Sequence, residues 1–272
     1  MSVQTEIDRI ITAVGAAYDA VEAKGGTAPA AQTIEGIAGA ISGIKSAPTT
    51  PYMEAEYIAM GDITSGNPGH YIKRAKLYNH TAIYAYEFAG QRRLQNLDCS
   101  DASNNITVIE SMAFNQALVH GLVLPNTISE LWDACFSGAA IATLTVPPLV
   151  TVLPTSAFED VQPVYNNATD EELPINIILP QNLTKIKNRC FMSAMIKQIT
   201  IPDTVTEIGD RAFGYCRQLA SVTCLAATPP TLGSSVFRSS TAGFTIKVPA
   251  ASVAAYKAAD GWKDYASYIV AM

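Results

Sequence analysis

The chain has 272 residues, of which 49% are apolar and 15% charged, and its formal net charge is −6. This length permits two modules, and the apolar content suffices for a sizeable core. The few, mainly acidic charges argue against nucleic acid and anionic membranes as partners, since both require clustered Lys and Arg. A secretory signal peptide begins with a basic region followed by an apolar one, whereas this chain has the acidic residues Glu6 and Asp8 there. No apolar run reaches the roughly 20 residues of a membrane span, so we expect neither Sec export nor membrane insertion.

The first 45 residues have the pattern of two helices. Thr5 and Asp8 have the spacing of a capping box, which predicts a helix start. The apolar positions of the first helix recur in heptad-like steps, at Ile7, Ile11, Val14, Tyr18 and Val21. The second helix, which carries Ile34 and Ile44, is rich in glycine and is stable only if it packs on a partner. Two interpretations stay open: a hairpin docked on the first repeat, or a segment for oligomerisation or attachment that uses the heptad-like stripe.

Residues 46–69 are expected to form a linker that leads into a repeat region, residues 70–249. In the four full copies a phenylalanine follows a proline by eleven residues: Pro125 and Phe136, Pro147 and Phe158, Pro180 and Phe191, Pro202 and Phe213. Alternating apolar residues before the proline, such as Ile199 and Ile201, predict a strand with one buried face. The proline ends this strand because it cannot donate to a ladder.

Each repeat ends on an Ala-Phe or Cys-Phe pair. We expect the ring to point inward from a short helical or turn segment. Stacked units then join their strands into a sheet and their rings into a ladder. The five cysteines are odd in number and form no CxxC pair, so they are interpreted as buried free thiols.

The segment ITIPDTVTEIGDRAFGYCRQLASV, from Ile199 to Val222, resembles the BspA-type leucine-rich repeat family, and this resemblance covers about two thirds of the chain. Together with the terminal segments it predicts an α+β repeat solenoid of BspA-type leucine-rich repeats, with a short N-terminal helical hairpin and a C-terminal helical cap. The segment from Val248 to Met272 resembles the one that closes such repeats, and residues 250–272 are expected to form the cap. In it, aromatic residues cover the last open turn: Tyr256, Trp262, Tyr265 and Tyr268. The resemblance implies adhesion or recognition at bacterial, protozoan or viral surfaces.

The sequence contains no catalytic constellation that we recognise. GxGxxG, Walker-type and GxSxG motifs are absent. His70, His80 and His120 fall in different repeats without the spacing of metal ligands. We therefore expect no enzyme activity, no cofactor and no metal site.

An insertion of eleven residues separates two of the full repeats, within the segment from Asp160 to Pro174. Insertions in solenoids map to loops on one face, often the binding face. The adaptable and carboxylate side chains of this loop are the candidate ligand contacts: Tyr165, Asn166, Asn167, Asp170 and Glu171. The alternative is a length variant without a role.

A second resemblance lies in VEAKGGTAPAAQTIEGIAGAISGI, from Val21 to Ile44, which is similar to a short N-terminal segment of many phage and prophage tail proteins. It favours a tail-fibre or receptor-binding protein of a virion, assembled in the host cytoplasm and expected to form a homo-trimer. The expected partners are a host cell-surface protein or glycan and other virion tail proteins. The alternatives are an adhesin at the bacterial cell surface and an intracellular scaffold.

Overall fold

The computed structural model describes residues 52–59, 70–91, 94, 96–119, 122–166 and 171–272. The chain divides into two compact units, Met1–Thr50 and Pro51–Met272, and all described residues belong to the second. The expected N-terminal hairpin and its heptad-like stripe therefore lie outside the described residues. The boundaries proposed at residues 45, 69 and 249 stay predictions.

The described elements are mostly short strands. In chain order they are β1 (Tyr52–Ala59), β2 (His70–Tyr78), β3 (Ala82–Ile83), β4 (Asn96–Asp98), β5 (Val108–Ile109), β6 (Leu118–Val119), β7 (Glu130–Leu131), β8 (Ala140–Ile141), β9 (Thr143–Thr145), β10 (Val152–Leu153), β11 (Val164–Asn166), β12 (Glu171–Leu173), β13 (Asn176–Ile178), β14 (Lys185–Ile186), β15 (Gln198–Ile201), β16 (Glu207–Ile208), β17 (Ser221–Cys224), β18 (Thr231–Leu232), β19 (Thr245–Val248), the α-helix α1 (Val253–Ala258) and β20 (Ile269–Ala271). Two 3-10 helices, Ala250–Ser252 and Trp262–Tyr268, flank α1.

These strands form a parallel β-solenoid of about eight turns. The sheets β9–β13 and β15–β17–β19–β20, whose strands have three or four residues, make up what we call the long-strand face, and the two-residue strands β6 and β8 form a separate sheet that precedes it in the chain. The other side, the short-strand face, contains β3, β5, β7, β10, β14, β16 and β18. Strands one turn apart pair in parallel, so that Ile199 pairs with Val222 and Val222 with Ile246. Ile199 and Ile201 of β15 are buried and their neighbours exposed, which confirms the predicted alternation.

The segment that carries each repeat phenylalanine is a turn and not a helix. The residues two positions before and two positions after each ring have φ between 52° and 70°. These pairs are Tyr86 and Gly90, Met112 and Gln116, Ala134 and Gly138, Ser156 and Asp160, Arg189 and Ser193, Arg211 and Tyr215, and Ser235 and Ser239. Because left-handed residues interrupt a right-handed helix, the expected α+β description is not confirmed. The part of the chain that the structure describes contains a single α-helix, α1.

The phenylalanine rings form the ladder that the sequence predicts. Seven rings, from Phe88 to Phe237, stack with centroids 5.0–5.7 Å apart and interplanar angles of 1–13°. Paired strands lie about 4.8 Å apart, so the stacking of turns sets the ring spacing and the parallel rings are offset. The backbone follows the same ladder: the N–H of Phe136 donates to the carbonyl of Ala157, one turn further on, at 2.9 Å.

The end of the chain packs on the last turns through two buried aromatic residues. The hydroxyl of Tyr256 donates to the carbonyl of Ala226 at 2.9 Å, and the indole N–H of Trp262 donates to the carbonyl of Pro230 at 2.7 Å. The Trp262 ring lies 6.0 Å from Phe237, the last ring of the ladder. Only the six residues of α1 are α-helical here, so a helical cap is not confirmed as such. The segment combines α1, 3-10 turns and the strand β20.

Candidate functional site

A groove runs along the solenoid where the phenylalanine turns meet the long-strand face. Five successive turns contribute to it the residues two and four positions after their ring. We call this surface the edge groove, formed by Gln116 and Leu118, Gly138 and Ala140, Asp160 and Gln162, Ser193 and Met195, and Tyr215 and Arg217. Its two halves have volumes of about 420 and 490 Å³ and share Asp160 and Gln162. Each half is as large as a typical small-ligand site.

Backbone hydrogen bonds hold the turns of the edge groove together. The N–H of Gly138 donates to the carbonyl of Glu159 at 2.7 Å, and the N–H of Asp160 donates to the carbonyl of Met192 at 2.8 Å. The equivalent bond recurs in all five turns. Because these left-handed residues use their N–H groups within the solenoid, the groove offers a ligand mainly side chains.

The insertion predicted to contact a ligand leaves the solenoid at the middle of the edge groove. It forms the antiparallel hairpin β11–β12, which begins shortly after Gln162. The Nε2 of Gln162 donates to the carbonyl oxygen and to Oδ1 of Asp160, at 3.0 and 2.9 Å. Of the candidate contacts, Tyr165, Asn166 and Glu171 lie on the hairpin strands. Asn167 and Asp170 lie outside the described residues. Their contact with a ligand stays a prediction.

The half of the groove beyond the hairpin contains a buried acceptor. The Oε1 of Gln218 is buried and has no hydrogen-bond partner in the described part of the chain. Its turn is one residue longer than the preceding turn, as the pairing of Gln198 with Ser221 shows. Arg217, in the same turn, is exposed and lines the groove. A buried polar atom without a partner costs about 1–3 kcal/mol, and because this oxygen is inaccessible to solvent, it is not a ligand contact of the groove.

The sequence reveals the insertion and the apolar repeat, but it does not reveal the edge groove. The columns two and four positions after each ring were also present in the sequence, with small and polar members such as Ser193 and Gln162. Their members are mixed in type, from Leu118 and Met195 to Asp160 and Arg217, so the repeat pattern alone does not reveal a groove.

The outward side of the long-strand face has a smaller recess, of about 290 Å³. Strands β13, β15 and β19 present Ile178, Thr200 and Lys247 there. Ile178 is 46% exposed. The residues belong to neighbouring sheets rather than to an insertion, and their side chains present no buried polar atom without a partner. The recess is therefore a weaker candidate than the edge groove.

A third recess, of about 520 Å³, separates Leu97–Ser100 from Val123–Asn126. Its carboxylate is engaged: the hydroxyl and the N–H of Ser100 donate to Asp98 at 2.6 and 2.8 Å and hold the pKa of this carboxyl below its usual value. Burial raises the pKa of the Cys99 thiol to about 12. Neither group is prepared for chemistry at neutral pH.

A buried polar cluster lies in the first phenylalanine turn. The Nε2 of His80 lies 2.9 Å from a carboxylate oxygen of Glu87, and its Nδ1 lies 2.9 Å from the carbonyl of Tyr78. The second carboxylate oxygen of Glu87 accepts from the N–H of Tyr84 at 2.8 Å. These groups satisfy one another, so the cluster ties the turn together and offers no open position for a ligand.

Four of the five cysteines are buried, as predicted, and all five are free. Burial raises the pKa of the Cys216 and Cys224 thiols to about 12, and that of Cys135 is raised as well. Such thiols stay protonated and are poor nucleophiles at neutral pH. Within the described ranges, no cluster of His, Cys, Asp and Glu is suited to hold a metal ion. The described helices also include none with the length and apolar character of a membrane span.

Comparison with known proteins identifies the family to which the repeats belong. The family model described as "BspA type Leucine rich repeat region" matches residues 81–175 and 163–256, in six copies. The pneumococcal vaccine antigen PcpA is similar at 14% identity, over 69% of this chain and 63% of that chain, with a TM-score of 0.30. A leucine-rich repeat protein from Bacteroides ovatus ATCC 8483 is similar at 17% identity, over 72% of this chain and 70% of that chain, with a TM-score of 0.30. No curated protein matches the chain.

Proposed function

Since the chain belongs to the BspA-type leucine-rich repeat family, we propose that it is a non-enzymatic recognition protein that binds a cell-surface partner with its solenoid. The edge groove is the surface we assign to recognition. The observation that carries this proposal is the repetition of the groove at the same two positions of five successive turns. Solenoid repeats build extended binding surfaces in this way.

The insertion supports the same surface. Hairpin β11–β12 leaves the solenoid beside Gln162, between the two halves of the groove. A projecting hairpin adds contact area at one point of the groove and limits which partners fit. The candidate contacts Tyr165, Asn166, Asn167, Asp170 and Glu171 are proposed to act there, together with the groove.

The setting that we propose is a phage or prophage tail fibre, located in the virion. Its support is the resemblance of the segment from Val21 to Ile44 to tail-protein N-termini. In this setting the stripe from Ile7 to Val21 assembles a homo-trimer or attaches the protein to other tail proteins. A bacterial surface adhesin is the second candidate, because the family resemblance implies surface recognition in bacteria as well. The end of the chain is proposed to cap the solenoid in either setting.

Binding of the fluorescently labelled full chain to a panel of intact bacterial cells tests the recognition surface. Arg217→Ala and Gln162→Ala remove exposed or partly exposed side chains of the edge groove. Glu130→Ala on the short-strand face is the matched control, since Glu130 is exposed and outside the groove. We expect the two groove variants to lose at least tenfold in affinity and the control to bind as the unmodified chain does. If the unmodified chain and the three variants all bind equally, the edge groove is not the recognition surface.

The molar mass in solution tests the setting. We expect the full chain to be a trimer by light scattering and a chain that begins at Pro51 to be a folded monomer. If the full chain and the truncated chain are both monomers, the N-terminal segment does not drive self-assembly, and the adhesin is favoured.

A further inference from the structure

Charged residues are unevenly distributed along the chain. Residues 94–184 contain ten Asp and Glu and no Lys or Arg, whereas residues 185–249 contain eight Lys and Arg and three Asp and Glu. The turns of the solenoid follow one another in chain order, as the pairing of strands one turn apart shows. The separation of charge in the sequence is therefore also a separation along the solenoid axis.

The separation appears on the side of the solenoid formed by the phenylalanine turns. We call this side the turn face and count its seven turns from Phe88 to Phe237. Within four residues of the ring, turns two to four carry acidic residues and no basic ones: Glu110, Asp133, Glu159 and Asp160. Within the same distance, turns five to seven carry five basic residues and one acidic residue: Lys187, Arg189, Arg211, Arg217 and Arg238, and Asp210.

The positive charge of turns five to seven is not neutralised by contacts within the chain. All five basic residues are exposed. None of them belongs to an ion pair in the described part of the chain. The single carboxylate among them, Asp210, already accepts hydrogen bonds from the N–H and the hydroxyl of Ser234. These cations are therefore available to the acidic groups of a partner.

Backbone hydrogen bonds hold the acidic and basic turns in a fixed register. The N–H of Ser156 donates to the carbonyl of Asn188 at 3.1 Å and joins turn four to turn five. The N–H of Arg189 donates to the carbonyl of Asp210 at 2.9 Å and joins turn five to turn six. At about 4.8 Å a turn, turns three and six lie about 14 Å apart. This separation exceeds the Debye length of about 8 Å in physiological salt, so a partner meets two distinct patches of opposite sign.

A ligand of uniform charge fits this arrangement poorly. Turns five to seven extend over only about 10 Å along the axis, and a long polyanion on them would reach the carboxylates of turns two to four. Like charges that face each other are unfavourable. A folded protein can present fixed patches of both signs at one spacing, and solenoids offer extended surfaces to such partners.

We infer that the turn face docks a folded protein of opposite polarity, with an acidic patch against turns five to seven and a basic patch against turns two to four. This inference rests on the proposed recognition function and names the class of its partner. The two patches orient the partner along the solenoid axis and raise its rate of association.

A block peptide probes the polarity of the turn face. It consists of five Glu, an eight-residue Gly/Ser linker and five Lys, and the linker spans about 16 Å, close to the separation of the patches. The comparison peptide has the same linker and composition but alternates Glu with Lys. Fluorescence anisotropy measures the binding of each labelled peptide to the full chain at about 0.1 M and about 1 M salt, where the Debye length is about 10 and 3 Å. A heparin-derived hexasaccharide is the uniform polyanion.

A double variant, Arg189→Glu with Arg211→Glu, reverses the charge of two adjacent basic turns. Lys247→Glu with Lys257→Glu is the matched control, because it changes the net charge equally at exposed positions outside the turn face. All four positions are exposed, so both double variants should keep the thermal midpoint of the unmodified chain.

We expect the block peptide to bind at least fivefold more tightly than the alternating one at the lower salt concentration. The arginine variant should abolish this preference, the control should keep it, and the higher salt concentration should remove it. Equal binding of the two peptides, or an unchanged preference in the arginine variant, would overturn the inference.

Two other occupants of the turn face have their own signatures. Tighter binding of the hexasaccharide than of the block peptide would overturn the inference in favour of an acidic glycan. Self-association of the full chain that the arginine variant removes would overturn it in favour of a second, antiparallel copy. If the peptides fail but Gln162→Ala still reduces binding to cells, the recognition function stands and only the class of partner is lost.

Discussion

Removal of one ring from the middle of the phenylalanine ladder measures how strongly the turns depend on one another. Phe158 is fully buried, with its centroid 5.3 Å from Phe136 and 5.1 Å from Phe191. Phe158→Ala leaves a cavity and should lower the free energy of unfolding by about 3–5 kcal/mol. Phe158→Leu keeps most of the apolar volume and removes two ring pairs, each worth about 0.5–1.5 kcal/mol, so it should cost about 1–3 kcal/mol.

Phe88→Leu is the matched control for this experiment. Phe88 is equally buried and stacks on a single ring of the ladder, Phe114, among the described residues. It should therefore cost about half as much as Phe158→Leu. Urea unfolding gives the two free energies, and hydrogen exchange shows whether the loss spreads to neighbouring turns, as coupled repeats require. Equal costs for the two leucine variants, or a cost below about 1 kcal/mol for Phe158→Ala, would refute the role of the ladder.

Three further predictions concern single positions. Arg211 and Gly138 both have left-handed backbones, at φ 52° and 66°. Arg211→Gly should therefore stabilise the chain by about 0.5–1 kcal/mol, and Gly138→Ala should destabilise it by about 1–2 kcal/mol. Changes of the same sign in the free energy of urea unfolding would contradict this reasoning. The N–H and hydroxyl of Ser234 hold the pKa of Asp210 below its usual value, so its contribution is present above pH about 4 and lost as pH falls. The stability difference between the unmodified chain and Asp210→Ala should accordingly shrink between pH 7 and pH 3, and a constant difference would exclude this contribution. Trp262→Phe leaves a buried carbonyl without its donor and should lower stability by about 1–3 kcal/mol in the same assay, whereas an unchanged midpoint would show that this bond is dispensable.

The sequence predicts the repeating strands and the ring ladder because both depend on apolar periodicity. Pro147 and Phe158, eleven residues apart, place a strand end and a buried ring in each full repeat. The α+β description failed for a local reason. The left-handed residues that exclude a helix are mostly not glycine, as at Arg189 and Ser193, so their conformation leaves no mark in the residue types. Inter-turn hydrogen bonds impose it, and these exist only in the stacked solenoid.

The edge groove could be predicted only in part. The insertion is visible in the sequence as a departure from the repeat, and its hairpin begins shortly after Gln162 of the groove. The lining residues come from turns about 22 residues apart, such as Gly138 and Asp160, and they meet only because the turns stack in register. The longer turn that contains Gln218 is recognised from the strand pairing, which a single sequence does not reveal.

Hydroxyl-radical footprinting of the full chain, with and without a bound bacterial envelope fraction, tests the central claim most directly. Met195 and Tyr215 line the edge groove and are readily oxidised. Trp132 and Tyr268 lie outside the groove and are each 43% exposed, so they serve as internal controls. We predict that the bound fraction lowers oxidation of Met195 and Tyr215 and leaves Trp132 and Tyr268 unchanged. Unchanged oxidation of the groove residues, with protection of either control, would contradict recognition by the edge groove.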